Sequence, residues 1–516
     1  MHIVSILKKE SVKHVGLISW SILLISFVFL QIQIYLNFNG VYVDGDQTIS
    51  WLSAVDKANG NWYTSYFYGQ FYNISLEAIF SAPFIAMGFP VHKVVPITSS
   101  IIGALPFLLG SFYFLKKRQY ELANLVLCIG LILPVQYHFM TVMSRGFSGG
   151  LALLSIGFFL LSFRKYALQY LGFTLMFFSY FVNPNVLIVL VPLITFKLLS
   201  NIFEKKTFDK RFYVIAILGI LSALGLLQIV NLQNHPNYVV HHLWDIVIRW
   251  EYFVENVQTI DSRFSNLFPF FKKHGSLYIA VFVLTTGYYV VKKNQKAWLL
   301  SLSTLCFLLV TLAVNKTTDG TLSTFYPYSR MYLGLPFLLI LVYHVLFEKK
   351  SDNTKRLLVI AFVGLIGGTF SIIGVPEQSK VTVRKNSGVV QVIPIDRLCK
   401  TCDDIEKLQQ KTDADLVVFY YKTDEFIYGC SALNNEFNAI YPEYDRRYWT
   451  FKEFGLTPYR TILFLDWSVT LDKKLIQYNG ELTKLEGVHF PAYLLRNNTQ
   501  SVVDLFEQNN LTVRPY

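Results

Sequence analysis

Asp44 and Asp46, in the stretch Val43-Asp44-Gly45-Asp46-Gln47, are the side chains in this chain best suited to acid–base work. They follow the first long apolar run, residues 15–36. An acid at the centre of a membrane helix costs about 2.5–3.5 kcal/mol, so acids kept beside such a run have a water-filled cavity or a reaction to serve. A carboxylate in that position can take the proton of a hydroxyl or amine acceptor as a new bond forms. The same residues also suit a purely local role, because Asp-Gly is common turn chemistry and Asp46 stands where a helix N-cap would stand.

A second polar stretch follows: Tyr68-Gly69-Gln70-Phe71-Tyr72-Asn73-Ile74-Ser75-Leu76-Glu77-Ala78. It adds a third acid, Glu77, and the amide of Gln70. Trp51, Trp62, Tyr63, Tyr66, Phe67, Tyr68, Phe71 and Tyr72 are crowded into the same region. Such rings favour a membrane–water interface and also stack on sugar faces. Basic residues at loop or span ends are Lys93, Arg145, Arg249, Arg263 and Arg330. Arginine offers a phosphate two parallel hydrogen bonds and stabilises the charge of a phosphate leaving group. Lipid-headgroup anchoring uses the same side chains. His138, near the end of the third apolar run, is grouped with these substrate-side residues. His235, His241 and His242 lie in a later loop; adjacent histidines cannot share one helical face, and no H-E-x-x-H spacing occurs, so no zinc site is expected. No nucleotide-binding G-x-x-x-x-G-K-[ST] loop is present.

The elements that must position these groups are membrane helices. The chain has 516 residues, 53% of them hydrophobic. Charge-free runs cover residues 15–36, 94–115, 122–144, 146–163, 212–230, 275–291, 297–315, 331–347 and 357–375. The run 166–196 is too long for one span and is broken by Asn183-Pro184-Asn185. About eleven spans result, since each needs roughly 20 apolar residues. The net charge of +12 is not spread evenly. With the N-terminus inside, the inner loops (1–14, 116–121, 164–165, 197–211, 292–296 and 348–356) carry 20 Lys and Arg against 6 Asp and Glu, and the outer loops carry 9 against 9. This is the positive-inside pattern, and it removes the nucleic-acid reading, which needs the charge gathered on one folded surface. It places the N-terminus in the cytoplasm and both the Asp44/Asp46 loop and the C-terminal tail outside, so that the chain is expected to be a multi-pass protein of a plasma (bacterial inner) membrane.

The resulting expectation is a mainly α, polytopic helical membrane domain over residues 1–375, interrupted by long outer loops at 37–93 and 231–274, and a C-terminal extracytoplasmic α/β domain over 376–516. In the first loop the apolar spacing predicts a helix over residues 47–58 with Asp46 as its N-cap, and a second piece over 75–87, interrupted by Pro83, that lies along the interface. In the tail, residues 416–421 and 461–465 read as buried strands and 402–410 and 502–509 as helices. Cys399, Cys402 and Cys430 lie in this tail, where one structural disulfide with an undecided partner is expected. No cofactor is called for, with a divalent cation as the open alternative.

Three places in the sequence resemble the GT-C superfamily of polytopic glycosyltransferases, most closely the bacterial branch of protein mannosyltransferases and the lipid A aminoarabinose transferase. They are Asp46 at the head of a helix in the first outer loop, with Gln47 where Glu is usual; the Tyr68–Ala78 stretch quoted above with Ala82-Pro83 following; and Tyr328-Ser329-Arg330-Met331-Tyr332 followed by Pro336. The resemblance covers about the first 375 residues and leaves the tail unmatched. It implies transfer of a sugar from a polyprenyl-phosphate donor to a glycan, lipid or protein acceptor by one inverting displacement. It favours Asp46 over Asp44 as general base. Arg145, Arg330 and Lys93 would then hold the lipid phosphate, and Glu77, Gln70, Tyr68 and His138 would contact substrate or order the loop. A flippase for a lipid-linked saccharide and a scaffold presenting the tail are the competing functions; the spans, nearly devoid of charge and without inverted-repeat symmetry, weigh against transport.

Overall fold

The computed structural model of the chain describes residues 2–143, 146–203, 210–236, 246–347, 352–385, 392–420, 424–434, 438–443, 445–466, 471–486 and 490–513. Its contacts divide the chain into two units: residues 1–39, 99–228 and 244–389 form one, and residues 40–98, 229–243 and 390–516 the other. The first long loop is thus built into the same unit as the tail rather than with the membrane helices. The helix Thr354–Lys385 runs across position 376, where the sequence suggested a domain boundary.

The first unit is a bundle of apolar helices. Five described helices are long and apolar enough to cross a membrane, six if a bent pair counts as one span, and six more apolar helices have 10–17 residues. The expected count of about eleven is therefore not reproduced by full-length spans. The reason is local: turns and breaks consume the ends of several runs. Residues 122–144, expected to be one span, form Tyr120–Ile132 and Val135–Met143, bent by 91°. Pro134 removes an amide and drives Leu133 to an extended conformation (ψ 148°). The Asn183-Pro184-Asn185 break is present as a short turn, with the Asn183 side chain accepting from the Asn185 amide at 3.1 Å. Helices Gly146–Leu160 and Tyr166–Val182 pack so closely that a Cβ on Gly157 would lie 2.6 Å from the Gly172 carbonyl oxygen, which leaves room only for glycine. Outward-facing residues such as Ile18, Ile25, Leu284 and Phe370 are exposed, as a lipid-facing surface requires.

Polar contacts gather where the helices of this bundle end. Asp352 accepts from the Tyr120 amide at 2.8 Å, Arg356 pairs with Glu121 at 2.9 Å, and Lys116 lies over Phe163. In a separate group, the Phe270 amide donates to the Ile132 carbonyl at 2.9 Å, Lys272 donates to Gln378 at 2.9 Å, and Ser379 donates to the Asn37 carbonyl at 2.6 Å.

The second unit is a layered α/β structure. Its strands are β1 (Tyr42–Asp44), β2 (Val392–Pro394), β3 (Leu416–Tyr420), β4 (Ala439–Ile440), β5 (Ile462–Asp466), β6 (Glu481–Leu485) and β7 (Ala492–Arg496). The main sheet has the order β4-β3-β5-β7-β6, with β3 parallel to β4 and β5, and β7 antiparallel to β5 and β6. Strands β3 and β5 are buried throughout, matching the unbroken apolar runs seen in the sequence. Alternate residues feed two cores. Leu416, Val418, Ile462 and Phe464 pack with Val502, Leu505 and Phe506 of the helix Val502–Gln508. Val417, Phe419, Leu463 and Leu465 pack with Leu398 and Ile405 of Ile395–Thr412 and with Phe426 and Ile427 of Asp424–Leu433.

That second core also contains Trp51, Leu52, Ala54 and Val55 of the first-loop helix Gly45–Ala58. A small antiparallel pair secures the join: β1 runs against β2, with Val43 opposite Ile393. The second helical piece of the loop is Leu76–Ala86; it continues through Pro83 rather than stopping there, and leaves Phe80, Phe84, Met87 and Phe89 exposed on its apolar side.

Cys402 is bonded to Cys430, joining Ile395–Thr412 to Asp424–Leu433, and Cys399 is a free thiol. The bridge closes a loop with a sequence separation of 28 residues, which by chain entropy contributes about 3–4 kcal/mol. Replacing both cysteines by serine is expected to lower the denaturation midpoint of the full chain accordingly, and Cys399→Ser to leave it unchanged, as read by thermal unfolding in detergent with and without reductant.

Candidate functional site

Asp44, not Asp46, caps the first-loop helix. Its carboxylate accepts from the Gln47 amide at 2.9 Å, and the Gln47 side chain accepts from the Asp44 amide at 3.2 Å, a complete capping box. This corrects the N-cap assignment and gives Gln47 its own duty, which either Glu or Gln can perform. Asp44 is 1% exposed. Asp46 falls in the first helical turn, where the helix dipole favours a negative charge, with its side chain 19% exposed. Arg446, from the segment after β4, places Nη1 3.4 Å from Asp46 Oδ1.

Behind Asp46 the helix is anchored by buried polar groups. Tyr68 donates its hydroxyl to Asp56 at 2.5 Å. Lys57 donates to Ser53 Oγ at 2.7 Å and lies near the rings of Trp62 and Tyr68. Burial pushes the Asp56 carboxyl above its ordinary range, opposed by the Tyr68 hydrogen bond, and lowers Lys57 to about 8. Tyr68, expected to contact substrate or order the loop, is fully buried and locks the loop. Gln70 is also nearly enclosed; it accepts from Asn73 at 2.6 Å across a turn made possible by Gly69 at φ +83°. Lys93 is exposed on the first turn of Val91–Lys116.

Glu77, in the first turn of Leu76–Ala86, is 3% exposed, and neither carboxylate oxygen has a hydrogen-bond partner of ordinary geometry among the described residues. Burial, partly offset by its own amide, pushes its carboxyl up to about 7.

In the helical unit, Arg330 opens the run Tyr328–Leu346 and is 8% exposed. Its Nη2 lies 2.9 Å from Asp319 Oδ2 and its guanidinium 3.7 Å from the centre of the Tyr326 ring, while Tyr326 donates to the same carboxylate at 2.7 Å. Lys316, in the loop ahead of it, is pushed down to about 8 by burial and by the charge of Arg330. Arg263 is committed elsewhere: it pairs with Glu255 at 2.8 Å and donates to the Thr317 and Thr318 carbonyls, so it braces this loop. His138 is 1% exposed, with one ring nitrogen 2.9 Å from the Gly130 carbonyl and the other 3.2 Å from Gln31. These contacts fasten the bend at Pro134. Arg145, His241 and His242 lie outside the described residues.

Sequence reading missed Arg446, Lys316, Asp319 and Tyr326. Lys316 and Asp319 carried a usable signal, two charges just ahead of the span that Arg330 opens; Arg446 carried none, because its partner is 400 positions away. Among the described residues no three His, Cys, Asp or Glu side chains gather in a metal-binding group.

The Glu77 shift has a definite sign. Between the ordinary glutamate value and about 7 the folded state holds a proton that the unfolded state releases, so stability falls as pH rises through that window. Glu77→Gln is expected to unfold at a higher temperature than wild type at pH 8.5, by an amount corresponding to about 3 kcal/mol, and to match it near pH 4.5; melting curves of both proteins across that range measure the difference.

No family model matches the chain, and no curated protein matches it. Solved structures do. The crystal structure of ArnT from Cupriavidus metallidurans bound to undecaprenyl phosphate superposes with a TM-score of 0.53 at 9% identity, covering 93% of this chain and 97% of that one. The apo structure of the same ArnT gives 0.54 at 10% identity with the same coverage. The chain therefore shares the fold of these two ArnT structures over most of its length.

Proposed function

We propose that the chain is a glycosyltransferase that moves a sugar from a polyprenyl-phosphate carrier to a glycan, lipid or protein acceptor at the outer face of a plasma membrane. The observation that carries the reading is the division of labour between the two loop carboxylates within a GT-C fold. Asp44 is consumed by the capping box, and Asp46 sits in the first turn of a helix fixed from behind. The similarity to an ArnT crystallised with undecaprenyl phosphate supports the lipid class of the donor.

In this reading Asp46 takes the proton of the acceptor hydroxyl or amine as that atom attacks the anomeric carbon. The bond from the anomeric carbon to the phosphate oxygen breaks, its electrons leave with the polyprenyl phosphate, and configuration inverts. Arg330 and Lys316, two cations against the single carboxylate of Asp319, are the proposed phosphate anchors, with Arg145 and Lys93 as further candidates. Gln70 and Glu77 order the loop that follows the base. The clustering of Lys and Arg on one set of loops supports a cytoplasmic N-terminus and an extracytoplasmic tail; a reporter fused after residue 516 is expected to be active only on the outer side.

The test is transfer by the purified chain in proteoliposomes, with polyprenyl-phosphate sugars as donors and products read by mass. Asp46→Asn is expected to lower kcat by about 10²–10⁴-fold, the usual worth of a general base, with an unchanged melting temperature. Asp44→Ala is expected to show the reverse, losing about 0.5–2 kcal/mol of stability and keeping most of its turnover. Lys316→Gln is expected to raise the KM for the donor about tenfold, for about 1.4 kcal/mol of lost phosphate binding. A lipid-linked sugar that changes leaflet with its covalent structure intact would replace this reading with that of a flippase.

A further inference from the structure

We propose that Arg446, contributed by the C-terminal tail, is a positioning residue for Asp46; the inference rests on the reading of Asp46 as general base. The tail would then be part of the reaction apparatus and not only a cover or docking module.

The backbone around Arg446 is firmly held. Its own amide donates to the Tyr428 hydroxyl at 2.9 Å. Tyr428 is fully buried in the helix Asp424–Leu433, which the Cys402–Cys430 bond fastens to its neighbour. The adjacent Arg447 is buried and grips Asp445 with two nitrogens, at 3.1 and 3.0 Å, while Nη2 also donates to the Ala439 carbonyl at 3.1 Å. Asp445 in turn accepts from the Arg447 amide at 2.9 Å. Two residues further on, Trp449 stacks on Tyr63 with ring centroids 4.5 Å apart and meets the edge of Tyr68 at 5.0 Å. Tyr68 is the residue whose hydroxyl holds Asp56 at the far end of the helix that carries Asp46.

Arg446, unlike Arg447, turns outward. Its guanidinium lies 5.6 Å from the centre of the Phe67 ring and reaches Asp46, with side-chain exposures of 17% and 19% for the pair. A purely structural ion pair gains little at such exposure, and the segment is already fixed by Arg447, Asp445 and Trp449 without it. What Arg446 does add is direction. A carboxylate on the first turn of a helix has several rotamers, and a base must present one oxygen to the acceptor proton within hydrogen-bond reach. The cation selects the rotamer. Phe67 supports the guanidinium through its ring, as flat cations favour an aromatic face.

The test is a double-mutant cycle in the full chain, using the proteoliposome transfer assay. Arg446→Gln is expected to lower kcat about 10–30-fold, to change the KM for the lipid donor less than about twofold, and to leave the melting temperature unchanged. Arg446→Lys is expected to recover part of kcat. In the Asp46→Asn background, Arg446→Gln is expected to cost less than about a further twofold, because the two residues act as one unit. Wild-type kcat in Arg446→Gln, or a full and independent loss in the Asp46→Asn background, overturns the proposal and leaves the base assignment standing. Full activity in Asp46→Asn overturns the base assignment and this inference together.

Discussion

The C-terminal unit depends on the burial of one amphipathic helix, Gly45–Ala58, against another, Asp424–Leu433. Trp51, Leu52 and Val55 are buried in the core that this contact and the sheet beneath it help to form. Fully buried side chains of this size contribute about 1.5–3 kcal/mol each. The same contact fixes where the helix begins, and hence which carboxylate is spent on capping and which is not. The strand pair Tyr42–Asp44 with Val392–Pro394 then sets the entry of the chain, so that the orientation of Asp46 is determined from both sides by residues of the tail.

Charge in this protein is allotted by duty. Arg447, Arg263 and Arg356 each meet a carboxylate and hold backbone or neighbouring helices in place. Arg330 shares Asp319 with the Tyr326 hydroxyl, beside a lysine whose own charge is made costly by burial. Two cations, Arg330 and Lys316, thus lie near the one carboxylate of Asp319 in this loop, whereas Arg447, Arg263 and Arg356 each pair with a carboxylate that braces the structure.

Much of the architecture was legible in the sequence because it follows local rules. The strands at Leu416–Tyr420 and Ile462–Asp466 showed as short unbroken apolar runs, and the helix ending at Ala58 showed its spacing. The proline-centred break at Asn183 was evident from composition. Other features were not legible, each for a physical reason. The cap moved from Asp46 to Asp44 because Gln47 can close a capping box with the residue three before it, an alternative that apolar spacing does not rank. Tyr68 and His138 suited a substrate-side role from the sequence because aromatic and polar residues stand near a membrane surface there; their internal hydrogen bonds, to Asp56 and to the Gly130 carbonyl, show only in the packing. The union of the first loop with the tail has no local trace, since each surface is merely amphipathic until it meets the other. Hydropathy does not register a right-angle bend such as that at Pro134, so the helices within an apolar run show only in the structure.

The order in which the ribosome delivers the chain gives the loop–tail join a further meaning. Gly45–Ala58 emerges early, and Asp424–Leu433 more than 350 residues later; at about 5–20 residues per second the interval is tens of seconds. Throughout it, Trp51 and its apolar neighbours lack the part of their core that the tail supplies. The loop helix therefore meets its partner surface only after Asp424–Leu433 has emerged, so a chain that stops before that helix leaves the acidic loop unassembled.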